Sequence, residues 1–386
     1  MIITICSDVL GKENNGTTIA TMNLIRYLSS KGHEVRVVAT SMVPVKNVKF
    51  YQLNVRNLGK IINTMLDHNQ VILAKYDEQI FRKAIDGADI VDIPFSMGVS
   101  ERVIDICKEK HIPVVASMHL QAENVSSHLG LIDSKIANRI IYNNYYKRIY
   151  SKVDSVHFPT EFLKNIFESN IKKTVKHPYV ISNGVNDRFK RMNATKPSEL
   201  KDKFVILSTG RICTEKNQKT LVDAVSKSKY KNKIKVIFAG DGPDKESLLK
   251  QINKKHVDAK VEFFSRDEIV NVINYSDLYV HTAIIDLESI ACLEALKCGL
   301  TPVFMDSKRA APHLFALDDR SLSKYKDSTD LANKIDYFIE HKDERLELSK
   351  QYEEKMSTMS QTECMHQMEE MFEETIDRYE KESDLL

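Results

Sequence analysis

Two cations stand five residues apart in Gly210-Arg211-Ile212-Cys213-Thr214-Glu215-Lys216-Asn217, directly after the apolar run Phe204 to Ser208. Arg211 offers a planar fork of donors and Lys216 a compact point charge, a pair suited to a diphosphate. Two solvated surface cations are the bland alternative, but their place between a strand end and a helix start favours the phosphate role. A group of acids follows in the stretch His281 to Ala295, with Asp286, Glu288 and Glu294. A strand end, a loop and then a helix would put Asp286 and Glu288 in a cleft and Glu294 two turns into the helix. Glu294 lies among Ala291, Cys292, Leu293, Ala295 and Leu296. A carboxylate in such company needs partners, and ligand hydroxyls are suitable ones.

Weaker signals accompany these. Gly240-Asp241-Gly242-Pro243 leaves another apolar run directly. It reads as a tight turn whose function, if it has one, is to let backbone approach a nucleotide. The loop Ser7 to Gly16 ends in Asn14-Asn15-Gly16-Thr17-Thr18 before a helix. Free N–H groups there suit an anion, though a plain turn capped by Thr17 explains the same residues.

The elements that must position these residues repeat along the chain. Ile2 to Cys6 reads as a buried strand, Thr17 to Lys31 as a helix stopped by Gly32, and Val35 to Ala39 as the next strand. Ile90 to Ile93, Pro113 to Ser117 and Ser155 to Phe158 continue the series. The stretch 186–203 is polar and basic, carries Pro197, and reads as a linker. A second series follows at Phe204 to Ser208, Lys235 to Ala239, Val261 to Phe264, Leu278 to His281 and Thr301 to Phe304. Apolar strands separated by helices predict parallel α/β sheets covered on both faces. The expected organisation is a Rossmann-like domain over 1–185, a linker over 186–203 and a second such domain over 204–359, facing each other across a cleft. Met365, Met368, Phe372, Ile376 and Tyr379 fall on one face of a C-terminal helix, about 360–386, expected to pack its apolar stripe back on the first domain.

Composition narrows the function. The chain has 386 residues, with 56 Lys plus Arg against 54 Asp plus Glu and a net charge of +2. Length predicts two domains, and the charge balance argues against a general nucleic-acid binder. No apolar run approaches the roughly 18 residues of a membrane span, and the N-terminal apolar run is too short for a signal peptide. The cytoplasm is the expected location. Six scattered cysteines and twelve histidines form no ligand pattern, so neither a disulfide framework nor a bound metal is expected.

Leu131 to Lys152 interleaves Lys135, Arg139, Lys147, Arg148 and Lys152 with Tyr142, Tyr145, Tyr146 and Tyr150. This composition suits the interface of an anionic membrane, and equally an ordinary solvated helix whose tyrosines cover the domain.

Taken in order, Gly210-Arg211 through Lys216-Asn217, Gly240-Asp241-Gly242-Pro243, and Glu294-Ala295-Leu296-Lys297-Cys298-Gly299 after the acids resemble the family-4 retaining glycosyltransferases of the GT-B fold. The resemblance runs over nearly the whole chain and is strongest from Gly210 to Pro302. It implies that Arg211 and Lys216 bind and stabilise the diphosphate of a nucleotide-sugar, that Glu294 holds the ribose hydroxyls, and that Asp286 meets the donor sugar. Gly16, Gly210, Gly240, Gly242, Glu288, Ser289, Ile290 and Ala291 would complete the donor site, and His119 would stand near the reacting sugar. No metal or other cofactor is implied. His119-Leu120-Gln121-Ala122-Glu123-Asn124 and the helix after it are similar to a bacterial branch that glucosylates diacylglycerol. UDP-glucose is therefore the expected donor and a membrane lipid the leading acceptor, with Lys135, Arg139, Tyr145, Tyr146, Lys147 and Arg148 at the membrane. A cell-wall, capsule or other soluble acceptor, or a nucleotide-sugar-binding protein without turnover, are the alternatives. Three departures stand out: Asp286 is one carbon shorter than the family's Glu, Ser289 replaces a common Gly, and Ser265 replaces a frequent Gly near the base site.

Overall fold

The computed structural model describes residues 1–8, 10, 16–59, 72–96 and 98–384. The chain forms two compact units, one of Met1–Asn183 with the segment from Thr362 onward and one of Gly184–Gln361. Neither unit contains a described helix long and apolar enough to cross a membrane.

The first unit carries seven parallel strands: β1 (Ile2–Cys6), β2 (Glu34–Ala39), β3 (Val48–Gln52), β4 (Ile90–Ile93), β5 (Val114–Ser117), β6 (Ser155–Phe158) and β7 (Pro178–Val180). They lie in the order β3-β2-β1-β4-β5-β6-β7. Helices α1 (Gly16–Ser30), α2 (Glu78–Ile85), α3 (Ser100–Glu109), α4 (Ala122–Ser126), α5 (Lys135–Tyr145) and α6 (Glu161–Ile171) make the crossovers. The second unit repeats the plan in the order β10-β9-β8-β11-β12-β13. Its strands are β8 (Phe204–Thr209), β9 (Ile234–Ala239), β10 (Ala259–Glu262), β11 (Leu278–His281), β12 (Pro302–Met305) and β13 (Leu322–Ser323). Its helices are α7 (Gln218–Lys227), α8 (Lys245–Lys255), α9 (Arg266–Tyr275), α10 (Ile290–Lys297), α11 (Ser328–Glu340) and α12 (Lys342–Met356).

Every residue of β4, β5, β6, β11 and β12 is buried, which is why these segments read as mainly apolar runs without alternation. The strands that sequence reading missed are the edges. In β3 no residue is fully buried, β7 is three residues long and β13 only two, so none carries an apolar run to recognise. The six cysteines are all buried and free.

The stretch 186–203 does not hang between the units as a linker. Phe189 and Leu200 sit in the core of the second unit, Lys196 Nζ pairs with Asp277 at 2.6 Å, and Arg188 pairs with Asp267 at 2.9 Å. One aromatic and one leucine anchor it, too sparsely spaced to show a period. Val185 also belongs to that core, accepting from Gln361 N at 3.0 Å and donating to Met359 O at 3.2 Å. Helix α13 (Gln361–Ser383) buries Cys364, Met365, Met368, Met371 and Phe372 against Ile3, Ile5, Val35 and Val37 of the first unit. That stripe repeats every three to four residues, as burial of one helix face requires.

Candidate functional site

In the second sheet β8 neighbours both β9 and β11, so the chain order reverses between β8 and β11. Loops leaving the carboxyl ends of two such strands diverge and open a crevice for a ligand. Gly210 to Asn217 leaves β8 and Thr282 to Ser289 leaves β11. Two hydrogen bonds tie these loops together: Ile284 N donates to Glu215 O at 2.7 Å, and Thr282 Oγ1 donates to Lys216 O at 3.0 Å.

Lys216, half-buried, and Asp286, buried, seventy residues apart in sequence, form an ion pair in which Nζ donates to the carboxylate. His281 Nε2 lies 3.0 Å from the same carboxylate. Behind it, Tyr279 OH stands 3.4 Å from His281 Nδ1 and 2.9 Å from Thr209 Oγ1. Burial alone would raise the Asp286 carboxyl, but Lys216 and His281 outweigh it and hold the group well below the usual carboxylate range. For Lys216, burial acts downward and the Asp286 charge more than offsets it, so the ammonium titrates above its ordinary value. His281 is displaced downward by burial, with Asp286 offsetting only part. The backbone of Asp286 is also pinned on both sides, its N donating to Arg309 O at 3.2 Å and its O accepting from Ala311 N at 2.8 Å.

Glu294 is buried and paired with Arg266 at the start of α9. Its carboxyl is pushed up by burial, which Arg266 counters only in part. Arg211 lies beside Glu215, with Nη2 3.5 Å from the carboxylate, and its carbonyl accepts from Gln218 Nε2 at 2.9 Å. Glu288 is buried, and Ser289, Ile290 and Ala291 form the half-buried start of α10. Ser289 holds φ at 63°, the left-handed region that glycine enters without strain. Ser265 caps α9 in a capping box with Glu268, its Oγ accepting from Glu268 N at 3.3 Å. This is a task glycine could not perform.

Gly240 and Gly242, the glycines expected to let backbone approach a nucleotide, have a packing reason of their own. A Cβ on Gly240 would lie 2.0 Å from Gly210 O, and one on Gly242 2.3 Å from Ile212 O. These glycines are required for the β9 loop to pack on the β8 loop, where Ile212 N donates to Asp241 O at 2.9 Å and Asp244 N to Ile212 O at 3.0 Å.

In Leu131 to Lys152 the structure departs from the expected membrane face. Its tyrosines point inward: Tyr142 is fully buried and donates to Glu123 at 2.7 Å, and both Tyr142 and Tyr150 pack on Phe167. Tyr145 and Tyr146 are half-buried, and Arg148 is paired with Glu101 at 2.9 Å. The outer face is made instead by Lys135, Ile136, Arg139, Ile140 and Lys147. Ile136 and Ile140 are 75% and 65% exposed, and Leu129 nearby is 69% exposed.

In the first unit, Gly16 is the exposed first residue of α1, while Asn14 and Asn15 of its loop lie outside the described residues. His119 follows β5 and meets His157 edge to face, ring centroids 5.7 Å apart. Burial, with the neighbouring His157, pushes the His119 imidazole down to about 3, so it is neutral at physiological pH. Sequence reading missed Arg266 and His281. His281 was visible as the polar end of an apolar strand, whereas nothing in the sequence paired Arg266 with Glu294.

Comparison with known proteins gives this arrangement a context. The Streptococcus pneumoniae alpha-monoglucosyldiacylglycerol synthase is 24% identical over 325 residues, 78% of this chain and 70% of its own. Anabaena HepE, solved with UDP and glucose, superposes with a TM-score of 0.72 at 16% identity, covering 97% of this chain and 100% of its own. Sucrose-phosphate synthase from Thermosynechococcus elongatus superposes with a TM-score of 0.77 at 13% identity, over 98% of this chain and 100% of its own. Residues 14–189 match the model described as Glycosyltransferase Family 4, and residues 190–355 match Glycosyl transferases group 1. With its two parallel-sheet units and these matches almost end to end, the chain belongs to the family-4, group 1 glycosyltransferases of the GT-B fold, enzymes that transfer a sugar from a sugar-nucleotide donor.

Proposed function

We propose that the chain transfers glucose, with retention of configuration, from UDP-glucose to a diacylglycerol-type lipid at a membrane surface. The observation that carries the donor half is the meeting of Lys216 and Asp286 at the switch point of the second sheet, with Arg211 on the same loop as Lys216. As the glycosidic bond to the diphosphate breaks, negative charge grows on the leaving oxygen and positive charge on the anomeric carbon. Cations already fixed in place stabilise that separation more than they stabilise the ground state. Arg211 and Lys216 would take the diphosphate, with Lys216 turning part of its charge from Asp286 to the ligand. Asp286 would then accept from a hydroxyl of the donor sugar, and Glu294 from the ribose hydroxyls. His119, held neutral, would hydrogen-bond the reacting sugar without placing a charge beside a developing cation. In this scheme the two side-chain cations neutralise the leaving group and no divalent ion is needed.

The acceptor half rests on the outer face of α5. Two exposed isoleucines one turn apart, flanked by Lys135 and Arg139, can lay apolar side chains into a headgroup layer while the cations meet anionic lipid. The name of the pneumococcal relative agrees with a lipid acceptor.

A donor screen tests both halves. The protein is incubated with UDP-, GDP- and ADP-sugars, with and without dioleoylglycerol in vesicles containing phosphatidylglycerol and with or without EDTA. Stabilisation by UDP-glucose alone, glucolipid formation with the vesicles and indifference to EDTA are expected. Donor binding without lipid product would redirect the acceptor to a soluble or polymeric glycan. Loss of turnover in EDTA would overturn the metal-free scheme.

A further inference from the structure

Asp92, in β4 of the first unit, is fully buried, and neither of its carboxylate oxygens has a hydrogen-bond partner among the described residues. Burial alone pushes its carboxyl up to about 7. It lines a narrow cavity together with the polar Thr21, Ser117, His119 and His157 and the apolar Leu24, Met365 and Met368.

Three of the polar side chains around this cavity, His157, Ser117 and Thr21, have already committed their hydrogens. His157 Nε2 lies 2.8 Å from Ile181 O, so Nε2 carries the ring proton and donates it to that carbonyl. Nδ1 is then the bare nitrogen, and at 2.9 Å it takes the hydroxyl proton of Ser117. The ring stays neutral, since burial holds it down at about 4. Thr21 Oγ1 donates to Thr17 O at 2.9 Å. Once Asp92 has lost its proton, above about pH 7, what these groups offer the cavity is lone pairs, two oxygens of Asp92 together with the oxygens of Ser117 and Thr21. Such a wall is complementary to a group that brings hydrogens, and a hydroxyl brings one while accepting in return.

We propose that this cavity is the seat for a hydroxyl of the acceptor's polyol head, which donates to Asp92 while the acceptor's carbon skeleton packs on Leu24, Met365 and Met368. The proposal rests on the reading above that the enzyme glycosylates a hydroxyl-bearing acceptor, and it assigns that acceptor a residue in the first unit. It also explains why a carboxylate without a partner is kept in a core strand.

The test uses Asp92→Leu and Asp92→Asn in the full chain, assayed with UDP-glucose and dioleoylglycerol vesicles. The expected result is a KM for dioleoylglycerol raised at least about tenfold in the leucine variant, the loss of one hydrogen bond to a charged group. The asparagine variant should lie between it and the wild type. The UDP-glucose Kd, from calorimetry, should stay unchanged in both. The leucine variant should also melt at a higher temperature than the wild type, because a carboxyl kept for binding is removed from a core. An unchanged KM, an equal loss of donor affinity, or a lower melting temperature in both variants would overturn the proposal. If the wild type transfers to no lipid, the lipid reading fails on its own. Glycerol titrated against the imidazole NMR signals of His119 and His157 then decides the subsite. Saturable shifts in the wild type and none in Asp92→Leu support it, and no shift in the wild type overturns it.

Discussion

Asp286 in the second unit and Asp92 in the first are both buried aspartates in parallel sheets, yet their surroundings differ in kind. Asp286 faces an ammonium and an imidazole and is held ionised. Among the described residues Asp92 faces no cation within hydrogen-bonding reach, and its proton is shed only near pH 7. The first is a charge compensated within the protein before any ligand arrives, so a ligand must compete for its lysine. The second is an acceptor left unsatisfied, so a ligand need only supply a hydrogen. One arrangement suits a charged diphosphate donor, whose binding redistributes existing charge. The other suits a neutral hydroxyl.

The largest effect should come from making Asp286 resemble Asp92. Lys216→Ala leaves the carboxylate buried with only His281 beside it, which should cost about 3 kcal/mol of stability. It should also lower kcat about 100- to 1,000-fold, the scale for losing one preorganised charge at a leaving group. Adding Asp286→Asn should restore much of the stability and none of the turnover. Denaturant melts and steady-state rates on both variants check this, and a double variant that regains activity would show that Lys216 serves only the fold.

Next is pH, where the two aspartates have opposite signs. A carboxyl raised in the folded state binds more protons there than when unfolded, so its stabilising contribution is complete below about pH 4 and disappears as pH rises through about 7. Asp8, also pushed up to about 7 by burial, acts in the same direction. Asp286, held low, contributes above the ordinary aspartate range and loses that contribution only in strong acid. Between pH 5 and 8 the wild type should therefore fall behind Asp92→Asn by about 2 kcal/mol, while Asp286→Asn should show no such trend against it. Parallel urea titrations at three pH values measure the difference. A constant gap between wild type and Asp92→Asn would mean that Asp92 is satisfied in solution.

How much of this was legible in the sequence follows from the same contrast. The paired cations and acids of the second unit announced themselves because Arg211, Lys216 and Asp286 follow strand ends, where polar residues interrupt apolar runs, and because Glu294 is a lone acid among the apolar residues of α10. Buried central strands were equally plain, while β3, β7 and β13 were hidden because an edge strand need not be apolar. Asp92 went unread because a single acid inside Ile90-Val91-Asp92-Ile93 looks like a blemish in a strand. Its meaning depends on partners that sequence does not supply. The tyrosines of α5 and its following turn misled for a related reason: amphipathic residues tell which segment is interfacial but not which face is turned outward.

A smaller effect is expected at Glu294. Its pairing with Arg266 resembles that of Asp286 with Lys216, but Arg266 is partly exposed, with 44% of its side chain accessible, so the pair is the softer of the two. Glu294→Gln keeps the shape and some of the hydrogen bonding and removes the charge. It should raise the UDP-glucose Kd about tenfold with little change in kcat, since a ribose contact is made equally in ground and transition states. A kcat loss matching that of Lys216→Ala would place Glu294 at the reacting centre instead.

The smallest effect lies at Ser289, beside the acids. With φ at 63°, its backbone carries the strain of a side chain in a left-handed conformation, worth about 1 kcal/mol. Ser289→Gly removes that strain and at the same time frees the unfolded chain, which offsets part of the gain. The net should be a stabilisation of about 0.5 kcal/mol, and the start of α10 should keep its path because glycine adopts the same φ without cost. Donor affinity should hold or improve slightly, as the missing Cβ opens the helix start to a ligand. A clear loss of stability would show that the serine hydroxyl, and not the backbone, is what this position contributes.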